Sequence, residues 1–302
     1  MYRIVHGRNA VACTAIAVAW VFGTTVAAQE NAAAHSAPSR AVDYPLGRLA
    51  SWDDGLCEMS YYRATDRIYG SRREYTRVQL VNRQWMGRWS GVKAQPDAED
   101  AVAVFKLNLA EEIPTANYNY RYLTTVFLHR PDLKPFKMTV SSQEWCGATF
   151  KHLTWLGKAV SVRSFSYFEG EGSRDWLLDG QAVPYEALFL IVRDVAACAE
   201  PRDLTVLAAM RSTHQVEPVA TKGTLVPRAP ARITIAGNAY HARRVDLVWE
   251  GPLTGFLVGV DPPYYLLKYT TGPASGELLH VEKRAYWNPK STSGFYQPGK
   301  AP

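Results

Sequence analysis

Along most of the chain, short runs of alternating hydrophobic and polar residues are separated by turn residues at fairly even intervals. Leu56–Arg63 and Tyr75–Asn82 read as strands around a Gly70-Ser71-Arg72 turn, and Trp85–Trp89 extends the second. Ala101–Leu109, Leu123–Arg130, Phe136–Glu144 and Ala159–Phe168 follow the same pattern, the last ending at the acidic, glycine-rich Glu169–Gly172. Tyr118–Tyr122 reads as a turn with an aromatic face. After residue 200 the strand text resumes at Leu204–Arg211, Arg232–Ala236, Ala239–Trp249, Gly255–Val260, Tyr264–Thr271 and Leu278–Tyr286. Gly237-Asn238 predicts a hairpin turn between two of these.

One stretch breaks the period of two. From Pro184, tolerated in a first helical turn, Leu188, Ile191, Val192 and Val195 fall at helical spacing until the chain nears Pro201. A buried strand over Leu188–Val192 is the alternative. Together these elements predict a mostly β fold: a large curved antiparallel sheet or barrel with one main helix. The expected β-rich domain covers 42–288, with a lobe boundary near 197–230, where prolines cluster, and a loose tail over 289–302.

The N-terminus changes the picture. Arg3 and Arg8 precede an uncharged, mostly apolar run that ends in Val26-Ala27-Ala28, the layout of a secretory signal peptide over 1–28, cut before Gln29. An uncleaved signal anchor is the alternative. Residues 29–41 are Ala-, Ser- and Pro-rich and predict a disordered lead-in. No later segment is long and apolar enough to span a membrane, so the mature chain is expected in the periplasm. Cleavage removes two arginines and no acid, lowering the net charge from +6 to +4. That balance suits anionic envelope polymers or lipid headgroups and is too diffuse for nucleic acid.

Candidate chemistry is sparse. Cys57, Cys146 and Cys198 would remain after cleavage, with one disulfide expected and its pairing open. The seven histidines show no ligand spacing, so no metal is expected, and no cofactor fingerprint is present. Ser141–His152 concentrates what remains. A Cys146 nucleophile with His152 as base and Glu144 as orienter is one reading. Along a continuous strand, however, Cys146 and His152 would stand about 20 Å apart. If the stretch turns at Gly147-Ala148, the expected pairs are Cys146–Thr149, Trp145–Phe150, Glu144–Lys151 and Gln143–His152. A base for Cys146 would then come from elsewhere, such as His129 or His241. Alternatively Trp145 and Cys146 fill core while Gly147 permits a bend. Glu144 shares a face with Met138 and Val140, and a carboxylate on an apolar face needs a partner such as Lys151 or marks a site.

Trp52-Asp53-Asp54-Gly55, Ile68-Tyr69-Gly70, Phe105–Asn108, Ser141-Ser142-Gln143-Glu144-Trp145-Cys146-Gly147, Ser166–Gly172 and Tyr286-Trp287 occur in that order. This set resembles an uncharacterised family of exported bacterial β-rich proteins, some of which carry the name septum formation inhibitor Maf. The resemblance implies a large curved sheet and no catalytic residues. The cytosolic Maf pyrophosphatases open on a Ser-Pro-Arg-Arg-type loop, whereas Gly70-Ser71-Arg72-Arg73 lacks the proline and lies in strand text. The expected function is a non-catalytic binding or carrier protein. Its sheet would enclose an aromatic-lined cavity for a lipid or envelope polymer, with Glu144, Trp145 and Cys146 as ligand contacts. A hydrolase or thiol enzyme using Cys146, and a scaffold for a protein partner, are the alternatives.

Overall fold

The computed structural model describes residues 44–290. The expected signal peptide, the lead-in and residues 291–302 of the tail lie outside the described residues. Fifteen strands form in chain order: β1 (Cys57–Ile68), β2 (Ser71–Gly87), β3 (Ala101–Ile113), β4 (Tyr120–His129), β5 (Pro135–Glu144), β6 (Gly147–Leu156), β7 (Ala159–Ser166), β8 (Ser173–Asp179), β9 (Val183–Pro184), β10 (Arg202–Leu207), β11 (Ala220–Ile235), β12 (Asn238–Trp249), β13 (Thr254–Gly259), β14 (Leu266–Thr271) and β15 (Ala274–Arg284). A four-residue helix, α1 (Pro45–Arg48), precedes β1, and an eleven-residue helix, α2 (Leu188–Cys198), lies between β9 and β10.

All fifteen strands belong to one sheet, in the order β8 back to β1, then β15 back to β9. The pairing is antiparallel except for the two-residue β9–β10 contact. α2 is buried from Leu188 to Ala196. It shares one core with Val81, Leu107, Val126, Met138 and Leu153 from one half of the sheet and Val245, Phe256 and Leu266 from the other. A sheet that touches one helix from both halves must curve around it. The fold is therefore the predicted mostly β one, with one main helix. α2 packs within that core, against the inner face of the sheet. Side chains tie down the segments that lead into β8 and β9, the two ends of the sheet order. The Trp155 indole donates to Ala182 O at 2.7 Å, and the Gln215 amide donates to Gly172 O at 2.7 Å.

Side chains alternate along a strand, so residues paired across neighbouring strands share a face. One inward row runs Glu58, Val81, Leu107, Val126, Met138, Leu153, Val162. The next runs Gln79, Leu109, Thr124, Val140, Lys151, Ser164, and the one beyond runs Arg77, Glu111, Tyr122, Ser142, Thr149, Ser166. The inner face thus grades from apolar to polar toward one end. α2 shares a core with the apolar row, and its two charges are both paired. Arg193 makes a two-point ion pair with Glu58 at 2.7 and 3.0 Å and donates to Pro263 O at 2.7 Å. Asp194 accepts Leu46 N–H at 3.1 Å and an Arg202 donor at 2.7 Å, which ties α1 and β10 to the helix.

Two turns fall one residue earlier than expected. Tyr69-Gly70 and Ala236-Gly237 form the two-residue loops, all four with positive φ, which places glycine second. The proline-rich 218–230 region lies mostly within β11. β10 pairs only with Ala220–Leu225, so Pro227 and Pro230 sit where one side of β11 is a free edge, and the register shifts between them. β8 was not legible: its text, Ser-Arg-Asp-Trp-Leu-Leu-Asp, is mostly polar and only its Trp176 and Leu178 pack on the core.

Candidate functional site

The β5–β6 hairpin turns at Trp145-Cys146, two residues before the expected Gly147-Ala148. The observed pairs are Glu144–Gly147, Gln143–Ala148, Ser142–Thr149, Ser141–Phe150, Val140–Lys151 and Thr139–His152. The expected Glu144–Lys151 and Trp145–Phe150 pairs therefore do not form. A shift of two preserves sidedness, so Glu144 keeps its face with Val140 while Lys151 lies deeper, opposite Val140. Gly147 is fixed here by close packing. A Cβ on it would stand 2.4 Å from Tyr167 Cδ1. Gly147→Ala is expected to displace that ring and cost about 1–3 kcal/mol, measured by urea unfolding.

Beside the turn stands an aromatic cluster. The Trp145 ring is 83% exposed and lies nearly parallel to Tyr118, centroids 5.5 Å apart at 21°. Tyr118 contacts Tyr120, Tyr120 stacks on Tyr122, and the Tyr69 and Tyr120 hydroxyls meet at 2.5 Å. The Tyr118 hydroxyl donates to Cys146 Sγ at 2.8 Å. That bond is the largest cause raising the Tyr118 pKa to about 12, with the Glu144 carboxylate adding to it. Burial, then hydrogen bonds to Tyr69, Tyr118 and Glu144, raise that of Tyr120. Glu144 thus faces tyrosines, and its Oε2 is buried without a hydrogen-bond partner.

Deeper in, the polar rows are covered by residues 208–217, which cross from β10 toward β11 without regular structure. Arg211 pairs with Asp66 and with Glu111, the latter at 3.5 Å. Glu111 also accepts from the Tyr75 hydroxyl at 2.6 Å. Burial raises its pKa, but Arg211, Arg77 and that hydroxyl together bring it below the ordinary carboxylate value. Arg77 stacks over Phe189 of α2, 4.0 Å from the ring centroid. The Lys151 ammonium donates to Ser212 O at 2.9 Å, and burial lowers its pKa to about 8. Glu186 accepts the Met210 and Arg211 N–H groups, and burial raises its pKa. These groups make the interior polar at this end and fasten the crossing segment over it.

The structure brings Glu144, Trp145 and Cys146 together and leaves His152 apart. His152 lies on the outward face with Thr139 and Arg163, and burial lowers its pKa, so it stands neutral. His129 ends β4 at the far end of the strand, nine residues from Tyr120, roughly 30 Å away by strand rise. Cys57, Cys146 and Cys198 form no disulfide. Burial pushes the Cys57 thiol up to about 12, which leaves it inert. Among the described residues no three His, Cys, Asp or Glu side chains cluster as metal ligands, and no helix is long and apolar enough to cross a membrane. Sequence reasoning missed Glu58, Glu111, Arg193 and Arg211. The signal for Arg193 was visible: Arg193-Asp194 interrupts the apolar run Leu188–Val195.

No protein-family profile and no curated protein sequence matches this chain. Among solved structures, it is similar to a β-barrel-like protein of the domain of unknown function DUF1849 from Brucella abortus. The identity is 8% and the TM-score 0.46, over 75% of this chain and 97% of that one.

Proposed function

We propose that the protein is an exported, periplasmic, non-catalytic binding protein, and that its ligand is a glycan-bearing polymer of the cell envelope held at the β5–β6 tip. The exposed Trp145 ring backed by Tyr118 carries this reading. A sugar ring presents a C–H face that lies on an aromatic ring, and hydroxyls that donate to carboxylates. Trp145 offers the first and the Glu144 carboxylate, among the tyrosines beside it, the second, with Cys146 bordering both. Co-sedimentation with purified peptidoglycan sacculi tests the reading. Trp145→Ala is expected to weaken binding at least about 10-fold, or 1.4 kcal/mol, with unfolding unchanged, and Glu144→Gln to weaken it less. Equal binding by wild type and Trp145→Ala would sink it.

A second reading, a scaffold for another envelope protein, is supported by β8. It ends the sheet and carries Leu177, which is exposed. Photocrosslinking from position 177 in cells would trap a discrete protein partner if β8 docks one, and nothing above background if it does not.

A further inference from the structure

Two adjoining clefts lie at the other end of the sheet from the hairpin tip, either side of the β4–β5 turn. The first, about 410 Å3, has Leu133, Trp155, Val183, Ile191 and Leu204 among its walls. The second, about 700 Å3, is bordered by Arg88, Trp89, Lys134, Phe136 and Lys137. They share His129, Asp132, Lys134, Trp155 and Gly157, so one runs into the other. Both fall in the size range of small-molecule sites.

Their chemistry is divided. The first cleft presents mostly aliphatic and indole surface, with Arg202 and Asp203 also on its walls, Arg202 being paired with Asp194 at 2.7 Å. The second carries an excess of positive charge. Lys134 is neutralised by Asp132 at 2.8 Å. Lys137 donates only to Gly91 O, at 2.9 Å, and Arg88 lies over the Trp89 ring, 5.9 Å from its centroid. Neither Lys137 nor Arg88 has a carboxylate partner among the described residues. His152 adds a ring nitrogen, Nε2, that is buried and has no hydrogen-bond partner. An apolar trough that opens into unpaired cations complements a molecule with a hydrocarbon chain and an anionic head.

We propose that these clefts bind a single-chain amphiphile with an anionic head, its chain along Trp155 and Leu133 and its carboxylate or phosphate between Arg88 and Lys137. This site is independent of the hairpin tip, and either can fail without the other.

The test titrates the full chain with monomeric dodecanoate, dodecyl phosphate and dodecyltrimethylammonium, each below its micelle concentration, by calorimetry. Both anions are expected to bind saturably one to one, at least 10-fold tighter than the cation. Shortening the chain from dodecanoate to decanoate weakens binding by up to about 4-fold per CH2. Arg88→Glu with Lys137→Glu weakens both anions at least 10-fold. Arg88→Gln alone, at an exposed turn position, gives a smaller loss in the same direction should the double variant not fold. No saturable binding by wild type, equal affinity for the cationic amphiphile, or unchanged affinity in a folded Arg88 variant overturns the proposal. Binding to phosphatidylglycerol vesicles without binding to the monomeric anions also overturns it, because that is a membrane surface rather than a chain in a groove.

Discussion

Glu58→Ala is expected to destabilise the protein by about 3–5 kcal/mol, the cost of breaking a buried ion pair from one side. Arg193 has no exposed surface, and Glu58 gives it two of its three acceptors. Guanidinium cannot shed its proton to escape burial, so the alanine variant holds an uncompensated cation in the core beside Trp52. The pair itself adds little over well-packed apolar groups. Glu58→Met with Arg193→Met is therefore expected to recover most of the loss, since Glu58 sits in a row otherwise filled by Val81, Leu107 and Val126. Urea midpoints of the single and double variants measure both. A loss below about 1 kcal/mol in Glu58→Ala would mean that α2 is not held inside the sheet as described.

The second large effect is a dependence on pH through Lys151. Its folded pKa is lowered from 10.5 to about 8 by burial, opposed in part by Glu186 and Glu171. Below pH 8 the amine is charged in both the folded and unfolded chains, and the fold bears the full cost of the buried charge. Between about 8 and 10.5 the folded amine loses its proton while the unfolded one keeps it. The unfolded state then binds more protons, so stability rises with pH across that window. Wild type is expected to gain on the order of 3 kcal/mol relative to Lys151→Met between pH 7.5 and 10.5. The comparison cancels the tyrosines and exposed lysines that titrate in the same range. Parallel unfolding curves for the two proteins at both pH values would show that Lys151 is hydrated rather than enclosed beneath Ser212.

The sheet was legible because its inner face is mostly apolar, and the alternation of Val104–Leu109 or Met138–Val140 survives without knowledge of the partner strand. α2 was legible for a related reason, through apolar residues at helical spacing. Turn positions were not, since a glycine marks a loop without saying whether it stands first or second, and Tyr69 and Ala236 take the other position by accepting positive φ. The hairpin beside Glu144 slipped for the same reason. Gly147 is there to admit Tyr167, a contact 20 residues away along the chain, rather than to make the turn. The ionic interior was the least legible part. Glu58 meets Arg193 across 135 residues and Arg211 meets Asp66 across 145, and no local pattern encodes such a pairing. Glu144 stood out because it is a lone carboxylate on an apolar face. Glu111, in the equally buried Leu107–Ile113 stretch, met the same criterion and closes the deeper network.

Hydrogen exchange of the full chain with and without a soluble peptidoglycan fragment tests the central claim, that the ligand is held on the outside at the hairpin tip. Added protection is expected in peptides covering Tyr118–Tyr122 and Glu144–Gly147, with α2 unchanged. Protection of Leu188–Ala196, with none at the tip, would place the ligand inside the sheet and contradict the account.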